Sequence, residues 1–378
     1  MKIVIAPNSF KDCMDSQGVA NYIAIGLKKA LPTADIEKIP LADGGDGTFQ
    51  VIIQAKCGKI HKRQVMGSLH TPIDTEYGIL PDGTAVIELA KIAGLSLLPM
   101  EKRSPMYTTT YGVGELMKAV AQDGAKNLIL CVGGSATCDG GAGILAALGM
   151  KFIAKDGSKF IPVGGTLPLI DRICKDNILG PLEITVLCDV SNPLLGPTGA
   201  AKVYAPQKGA TAREVESLEL GLTHFVKITG GKKVSQTHGM GAAGGVPFGL
   251  SLIGAKVVSG AKFIMEVVGF ESKACNANFI ITGEGEINET TKYGKVVWEV
   301  IQFGKTYRIP VIAITGGVGK GYPVSYFYKQ GLHKIFRLTD SGISREYALS
   351  HTPKLLQSVA EKLGVVLSRG LNLQSTKI

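Results

Sequence analysis

Acidic and hydroxyl side chains repeatedly follow short apolar runs in this chain, with glycines beside them. The runs lie at residues 36–47, 127–143, 184–190, 278–286 and 310–317. An apolar run without alternation is typical of a strand buried on both faces, as in a parallel sheet. Carboxylates can hold a metal ion or take a proton, and glycine lets backbone N–H groups approach an anion closely. The pattern predicts an enzyme that handles a phosphate or another small anion where these strands end.

The segment 133–143 (GGSATCDGGAG) gives the strongest local signal. It offers the hydroxyls of Ser135 and Thr137 and the carboxylate of Asp139 directly after a buried run. Glycines flank these groups, namely Gly133, Gly134, Gly140 and Gly141. Free N–H groups at the start of the helix that follows would make an anion site. The alternative is a tight strand-to-helix turn in which Asp139 is the N-cap, a common use of aspartate.

Carboxylates in three further segments could manage a metal ion or a proton. Asp43 and Asp46 stand three residues apart in DGGDG, and Glu284 lies in GEGE. Such groups can ligate Mg²⁺, although caps and turns are the alternative for each of them. Asp189 ends an apolar run beside a loop stiffened by prolines, which makes it a candidate general base or another cap.

Four cations stand in or near these loops. Lys11, Lys208 and Lys295 could each meet a phosphate or carboxylate as a point charge. Arg103 could bind a carboxylate with two parallel hydrogen bonds. A solvated surface position is the alternative for all of them.

The order of predicted elements indicates how these groups are positioned. Strand–helix–strand–helix order opens the chain, with strands at 2–6 and 36–42, and it resumes cleanly from about residue 275. The stretch after residue 60 has short alternating segments and turns, which predict an antiparallel excursion. We therefore expect a doubly wound α/β domain from residues 1–60 and 275–378, with a mixed α/β domain inserted at 61–274.

Composition excludes several classes of protein. The net charge is +10, but lysines and arginines are scattered and aromatic residues make up only 6% of the chain, which argues against nucleic-acid binding. Seven cysteines form no CxxC pair, which favours a reducing cytoplasm, and no stretch is long enough to span a membrane. The GMGAAG segment at 239–244 follows no apolar strand, so it does not predict dinucleotide binding.

Seven motifs occur along the chain in a distinctive order. They are APNSFKD (6–12), PLADGGDGT (40–48), RSPMYTTTYGVGEL (103–116), GGSATCDGGAG (133–143), CDVSNPLLGPTGAAKVYAPQKGA (188–210), GAAGGVPFGL (241–250) and ITGEGEINETTKYGK (281–295). Together they resemble the type I glycerate kinase family, and the resemblance covers nearly the whole chain.

The resemblance implies ATP-dependent phosphorylation of D-glycerate, with 2-phosphoglycerate the favoured product and Mg²⁺ the cofactor. It also implies a flavodoxin-like domain with an inserted restriction-endonuclease-like domain and an active site in the cleft between them. Two alternatives stay open, a kinase for another small hydroxy acid and a non-catalytic sensor of small anions. The sequence does not decide whether identical chains form a homo-oligomer.

The resemblance also suggests roles for the candidate residues. Mg²⁺ would be held by Asp43, Asp46 and Glu284. Either Asp189 or Asp139 would orient or deprotonate the glycerate hydroxyl. Groups that would bind glycerate are Ser9, Lys11, Arg103, Ser135 and Thr137, with Lys11 also placed among the catalytic residues. Groups that would bind the nucleotide phosphates are Gly133, Gly134, Gly140, Gly141, Lys208 and Lys295.

The chain departs from the family pattern at three places. Asp12-Cys13 replaces the usual Gly-Ser, and Cys138 replaces an Asn. Asn288 stands where the family usually has an Asp, which removes a carboxylate from that loop.

Overall fold

The computed structural model describes residues 1–11, 13–175, 182–319 and 321–369, so Asp12 lies outside the described residues. Backbone contacts divide the chain into two compact units. The first unit combines Met1–Asp43 with Ala261–Ile378, and the second is Gly44–Gly260. Both units contain helices and strands, and the protein has an α/β fold with parallel and mixed sheets.

The described residues form fourteen strands and fifteen α-helices. The strands are β1 (Lys2–Pro7), β2 (Asp35–Lys38), β3 (Lys59–Met66), β4 (Pro72–Ile79), β5 (Ala85–Glu88), β6 (Asn127–Cys131), β7 (Met150–Ala154), β8 (Lys159–Phe160), β9 (Ile170–Lys175), β10 (Glu183–Cys188), β11 (Lys256–Ser259), β12 (Phe279–Ile287), β13 (Val311–Val318) and β14 (Leu332–Arg337). The helices are α1 (Ser16–Ala30), α2 (Thr48–Lys56), α3 (Ala90–Ala93), α4 (Tyr111–Gln122), α5 (Ala142–Ala147), α6 (Ala200–Tyr204), α7 (Ala212–Thr229), α8 (Lys232–Ser235), α9 (Val246–Ser251), α10 (Gly260–Val267), α11 (Phe270–Ala274), α12 (Val296–Tyr307), α13 (Ser325–Lys329), α14 (Arg345–Ser350) and α15 (Thr352–Ser368).

The sheet of the first unit is parallel throughout, in the order β14-β13-β12-β1-β2. The predicted buried strands are confirmed for β1, β12 and β13, whose apolar side chains pack with those of α1 and α15 in one core. The prediction was wrong for 36–42. Strand β2 covers only Asp35–Lys38, lies at the sheet edge and is partly exposed, because its charged side chains need solvent.

The main sheet of the second unit is mixed, in the order β11-β10-β6-β5-β4-β3. Strands β3, β4 and β5 are antiparallel, which confirms the predicted antiparallel excursion, whereas β5, β6, β10 and β11 are parallel. A second, antiparallel sheet of β8-β7-β9 lies in a stretch for which the sequence analysis names no strand. Its strands are short, so their periodicity gives little signal.

Local signals account for the longer helices. Helix α7 begins at a capping box in which the Thr211 and Glu214 side chains accept hydrogen bonds from each other's backbone N–H groups. Most candidate residues lie in glycine-rich loops that follow a strand, and a helix follows each of these loops. Among the described residues, no helix is both long and apolar enough to cross a membrane.

Candidate functional site

The second unit places polar residues along one edge of its parallel strands. In the sheet register Glu88 pairs with Cys131, and Leu187 pairs with Cys131 on the other side. Neighbouring strands lie about 4.8 Å apart, so the residues after β5, β6 and β10 come side by side. Gly133 and Asp189 therefore stand at matching positions, as the sequence analysis expects for strand ends.

The DGGDG loop packs closely on the start of the 133–143 loop. The Gly133 N–H donates a hydrogen bond to the Gly44 carbonyl at 3.1 Å. A Cβ at Gly133 would collide with the Cα of Gly45, and a Cβ at Gly134 would collide with the Asp46 carboxylate. Gly134 also has φ +70°, which only glycine adopts without strain. The Asp46 carboxylate thus lies directly against the backbone of Gly134.

Lys208 is a buried cation in this region, with 3% of its surface exposed. Its Nζ donates hydrogen bonds to Ser135 Oγ at 2.8 Å and to the Thr137 carbonyl at 2.7 Å. Within the described ranges no carboxylate oxygen lies within 4.0 Å of this ammonium group, and burial lowers its pKa to about 8. The Thr137 hydroxyl beside it is buried and has no hydrogen-bond partner among the described residues. An unneutralised cation next to an unused hydroxyl is suited to an anionic ligand.

The segment that carries Arg103 lies beside this cation. A Cβ at Gly209, which has φ +96°, would collide with the Arg103 carbonyl, so the two backbones touch. The guanidinium Nε donates to the Leu98 carbonyl at 3.1 Å. Ser104, which the sequence analysis does not single out, has a buried hydroxyl without a partner in the described parts of the chain. Only its place in the RSP motif could have pointed to it.

Asp139 holds the start of α5 together. Its carboxylate is fully buried and accepts hydrogen bonds from Thr110 N and Oγ1, both at 2.8 Å, from Gly141 N at 3.0 Å and from Gly143 N at 3.2 Å. Burial raises its pKa, while these hydrogen bonds act in the opposite direction. The geometry favours a structural role for this residue, as in the alternative of a tight turn, although the N-cap of α5 is Gly141 and not Asp139.

The N–H groups predicted to be free at this helix start are in fact used. Gly140 N donates to the Gly244 carbonyl at 2.9 Å, and Gly141 N donates to Asp139. Ile144 N donates to Thr110 Oγ1 at 3.0 Å. The prediction of free amides for an anion was therefore wrong, because an internal carboxylate and a hydroxyl already occupy that place.

Asp189 is half-buried and faces a loop held by side chains. Burial and the charge of Asp189 both raise the pKa of Tyr204, whose O–H donates to Asn192 Oδ1 at 2.6 Å. The Asn192 amide in turn donates to the Thr198 carbonyl at 2.7 Å. This arrangement fixes the loop beside Asp189, as a positioned proton acceptor requires.

The first unit gathers a second set of polar groups at its strand ends. Asn8 follows β1 and donates through Nδ2 to Asp43 Oδ2 at 2.7 Å, while its Oδ1 accepts from Ser9 N at 2.8 Å. The sequence analysis does not assign Asn8 a role, although it lies inside the APNSFKD motif. Lys11 is exposed. Its backbone N lies close to Gly285, since a Cβ placed on Gly285 would be 3.5 Å from that nitrogen.

Glu284 is the buried carboxylate of this set. Burial raises its pKa to about 7, and the charges of Asp43 and Glu286 add to the rise. Two neighbours lower the pKa of Glu284. The Lys295 Nζ lies 4.0 Å from its Oε2, and the Thr291 hydroxyl donates a hydrogen bond to its Oε1 at 2.7 Å. Carboxylates that lie this close to one another provide a place for a divalent cation.

Position 288 caps the short 3₁₀ helix that follows β12. Asn288 Oδ1 accepts from Thr290 N at 3.0 Å and from Thr290 Oγ1 at 2.7 Å. Its Nδ2 donates to Glu286 Oε1 at 3.1 Å, a contact that an aspartate could not make. The amide thus keeps the cap and removes one negative charge from the loop.

The predicted metal trio does not form a ready-made cage. In the described parts of the chain, no three His, Cys, Asp or Glu side chains are grouped so as to hold a metal ion. Asp43 and Glu284 belong to the first unit and Asp46 to the second. Within the first unit, Asp43 and Glu284 nonetheless suit Mg²⁺, which is commonly held by one or two carboxylates together with substrate phosphates.

Comparisons with known proteins agree with one another. The sequence matches the Glycerate kinase family over residues 3–368. A glycerate kinase of Halalkalibacterium halodurans is 39% identical over 97% of this chain and 98% of its own length. The glycerate 2-kinase of Escherichia coli K12 is 38% identical over 90% and 91%. A crystal structure from Salmonella typhimurium LT2, provisionally designated glycerate kinase 2, aligns with TM-score 0.80 and 35% identity over 98% of this chain and 99% of that one.

Proposed function

The chain belongs to the glycerate kinase family, and we propose that this kinase transfers a phosphoryl group from ATP to D-glycerate with 2-phosphoglycerate as product. The supporting observation is the Lys208 centre, a buried ammonium group that makes no salt bridge within the described residues and lies beside the unused Thr137 hydroxyl. An anionic reactant supplies the missing negative charge.

Phosphoryl transfer asks the protein mainly to position the reactants and to neutralise charge. We assign Lys208, Gly134 and Lys295 to the phosphates of ATP. Mg²⁺ would be held by Asp43, Asp46 and Glu284 together with phosphate oxygens, and when bound it neutralises charge on those oxygens. Ser135 and Thr137 supply hydroxyls to the bound reactants. For Gly133, Gly140 and Gly141 we assign a structural role instead, because their amides are already hydrogen-bonded.

Asp189 is assigned as the group that orients or deprotonates the glycerate hydroxyl, and Arg103, Ser9 and Lys11 as partners of its carboxylate. Asp189→Asn is expected to lower kcat by about 10²–10⁴-fold, since it removes a proton acceptor at the strand end. Its free energy of unfolding should change by less than about 1 kcal/mol because the side chain is only half-buried. Initial rates and urea unfolding measure the two effects. Near-normal turnover in this variant would remove Asp189 from the mechanism.

The two buried charges predict a narrow pH optimum. Glu284, with a pKa raised to about 7, must lose its proton to bind Mg²⁺, so kcat/KM should rise with pH up to about 7. Lys208, with a pKa lowered to about 8, must keep its proton, so kcat/KM should fall above about 8. Glu284→Gln should lose the acidic limb of the profile along with Mg²⁺ affinity. A wild-type profile flat from pH 6 to 9 would contradict both assignments.

A coupled assay of ADP release with D-glycerate tests the proposed function. Enolase added without a mutase consumes only 2-phosphoglycerate, so it identifies the phosphorylated hydroxyl. Two rivals predict other outcomes: ADP release with a different hydroxy acid in a substrate panel, or anion binding with no ADP release. The first would change the substrate, and the second would make the protein a sensor.

We further propose a flavodoxin-like, doubly wound arrangement for the first unit and a restriction-endonuclease-like arrangement for the second. This proposal keeps the domain boundaries predicted from sequence, at 60/61 and 274/275. The two compact units of the structure have their boundaries at 43/44 and 260/261. A cytoplasmic location is proposed because all seven cysteines are free thiols. The oligomeric state is open to measurement by light scattering.

A further inference from the structure

An aromatic cluster lies on the first unit, outside the residues assigned so far. It consists of Trp298 on α12, Tyr326 and Phe327 on α13, and Tyr322 just before α13. The rings of Trp298 and Tyr326 stack with centroids 5.9 Å apart and planes 12° apart. Phe327 is buried and meets both rings edge-on at 6.5 and 5.5 Å. Tyr326 is 36% exposed, so part of this aromatic surface is open to a ligand.

The cluster adjoins the charged groups of the same unit. Trp298 is the third residue of α12, and the N-cap of that helix is Lys295, whose Nζ lies 4.0 Å from Glu284 Oε2. The Lys292 Nζ lies 5.0 Å from the centroid of the Tyr293 ring, and its charge also acts on the Tyr322 phenol. Aromatic surface and two lysines therefore meet at the N-terminal end of one helix.

A hydrogen-bond donor lies one turn further along α12. Gln302 is four residues after Trp298, so the two side chains project from the same face of the helix. Its Nε2 is buried and has no partner in the described parts of the chain. A buried amide donor without an acceptor is costly, which makes a ligand acceptor at this place favourable.

We propose that the cluster of Trp298, Tyr322 and Tyr326 binds the adenine base of ATP by stacking, with Gln302 Nε2 donating to a ring nitrogen. The inference rests on the proposed function, since it takes ATP as the phosphoryl donor. A purine offers flat faces and acceptor nitrogens at its edge, whereas glycerate offers neither. Stacking on aromatic rings is a strong and general way to hold a base. The phosphates would then extend toward Lys295.

The wild-type protein allows a direct test, because Trp298 is the single tryptophan of the chain. Its fluorescence would be followed during titration with adenosine, ADP and inorganic tripolyphosphate. Adenosine and ADP should change the emission with saturation, and tripolyphosphate should leave it unchanged. An equal response to tripolyphosphate, or silence with both adenosine and ADP, would overturn the inference.

Variants give a second, independent measurement. Tyr326→Ala should raise the KM for ATP about 5- to 100-fold and leave the KM for D-glycerate within about twofold. Trp298→Phe, which keeps an aromatic ring, should raise it by no more than about threefold. Tyr347→Ala is the matched control, since Tyr347 is an exposed tyrosine stacked on His351 outside the cluster. An unchanged KM for ATP in Tyr326→Ala would refute the proposed adenine-binding site.

The outcomes separate the two proposals. If the wild type releases no ADP with D-glycerate while adenosine still changes Trp298 emission, the proposed function fails and the base site stands. If ADP is released but neither the emission nor the KM for ATP responds as expected, the base site fails and the proposed function stands.

Discussion

Replacing Lys208 with methionine is expected to lower kcat/KM by about 10²–10⁴-fold, the loss typical when a buried, preorganised charge is removed from a transferring phosphoryl group. The Lys208 ammonium group is held by Ser135 and the Thr137 carbonyl, and no carboxylate among the described residues forms a salt bridge with it. Initial rates at varied ATP and D-glycerate measure the loss.

Stability separates this effect from misfolding. The lowered pKa means that the buried ammonium destabilises the fold fully below pH 8 and progressively less between pH 8 and 10.5. Methionine removes that cost together with two hydrogen bonds worth about 1–3 kcal/mol each, so the free energy of unfolding should change by no more than about 2 kcal/mol. Lys202→Met is the control, because Lys202 pairs with Glu216 near the surface. An active Lys208→Met would refute the charge assignment.

Asp139→Asn is expected to lower the free energy of unfolding by about 2–4 kcal/mol. Its carboxylate accepts four hydrogen bonds in a fully buried place, and an amide would turn a donor toward at least one of those donors. Thermal unfolding should show a drop in Tm of roughly 4–16 °C for a unit of this size.

Asp156→Asn is the matched control for this variant, since Asp156 is exposed and accepts from Ser158 in a turn of the same unit. It should change stability by less than about 1 kcal/mol. If Asp139→Asn kept the wild-type Tm but lost turnover, Asp139 would return to the catalytic residues.

Much of the fold could be predicted from local patterns. The apolar runs of β1, β6, β10, β12 and β13 are strands, as predicted, because their burial leaves a direct trace in composition. In the run at 36–42 the regular strand stops at Lys38, before Pro40, which has no N–H to donate, although Ile39 N and Leu41 N still donate to carbonyls of β1. The sheet of β7, β8 and β9 depends on pairing between distant short strands, which no local pattern records.

The site was less predictable because its chemistry depends on distant partners. The Asp139 carboxylate meets Thr110, 29 residues away, and these two side chains accept hydrogen bonds from the helix-start amides that were predicted to be free. Lys208 could be recognised as a cation, but not as one buried beside Ser135, 73 residues earlier. Glycines were the better guide, since Gly133 and Gly134 are required where the DGGDG loop approaches.

Strand β1 pairs with β12, in which Phe279 is the partner of Ile3. The centre of this sheet therefore cannot form until β12 has been synthesised. The second unit, Gly44–Gly260, is continuous and has all its strands before β12 is made. During translation it can therefore fold on the ribosome while the amino-terminal β1 and α1 still lack β12 and α15. Of the two units, the one assembled from both ends of the chain is the last to form, and its exposed early strands are the part that chaperones must protect.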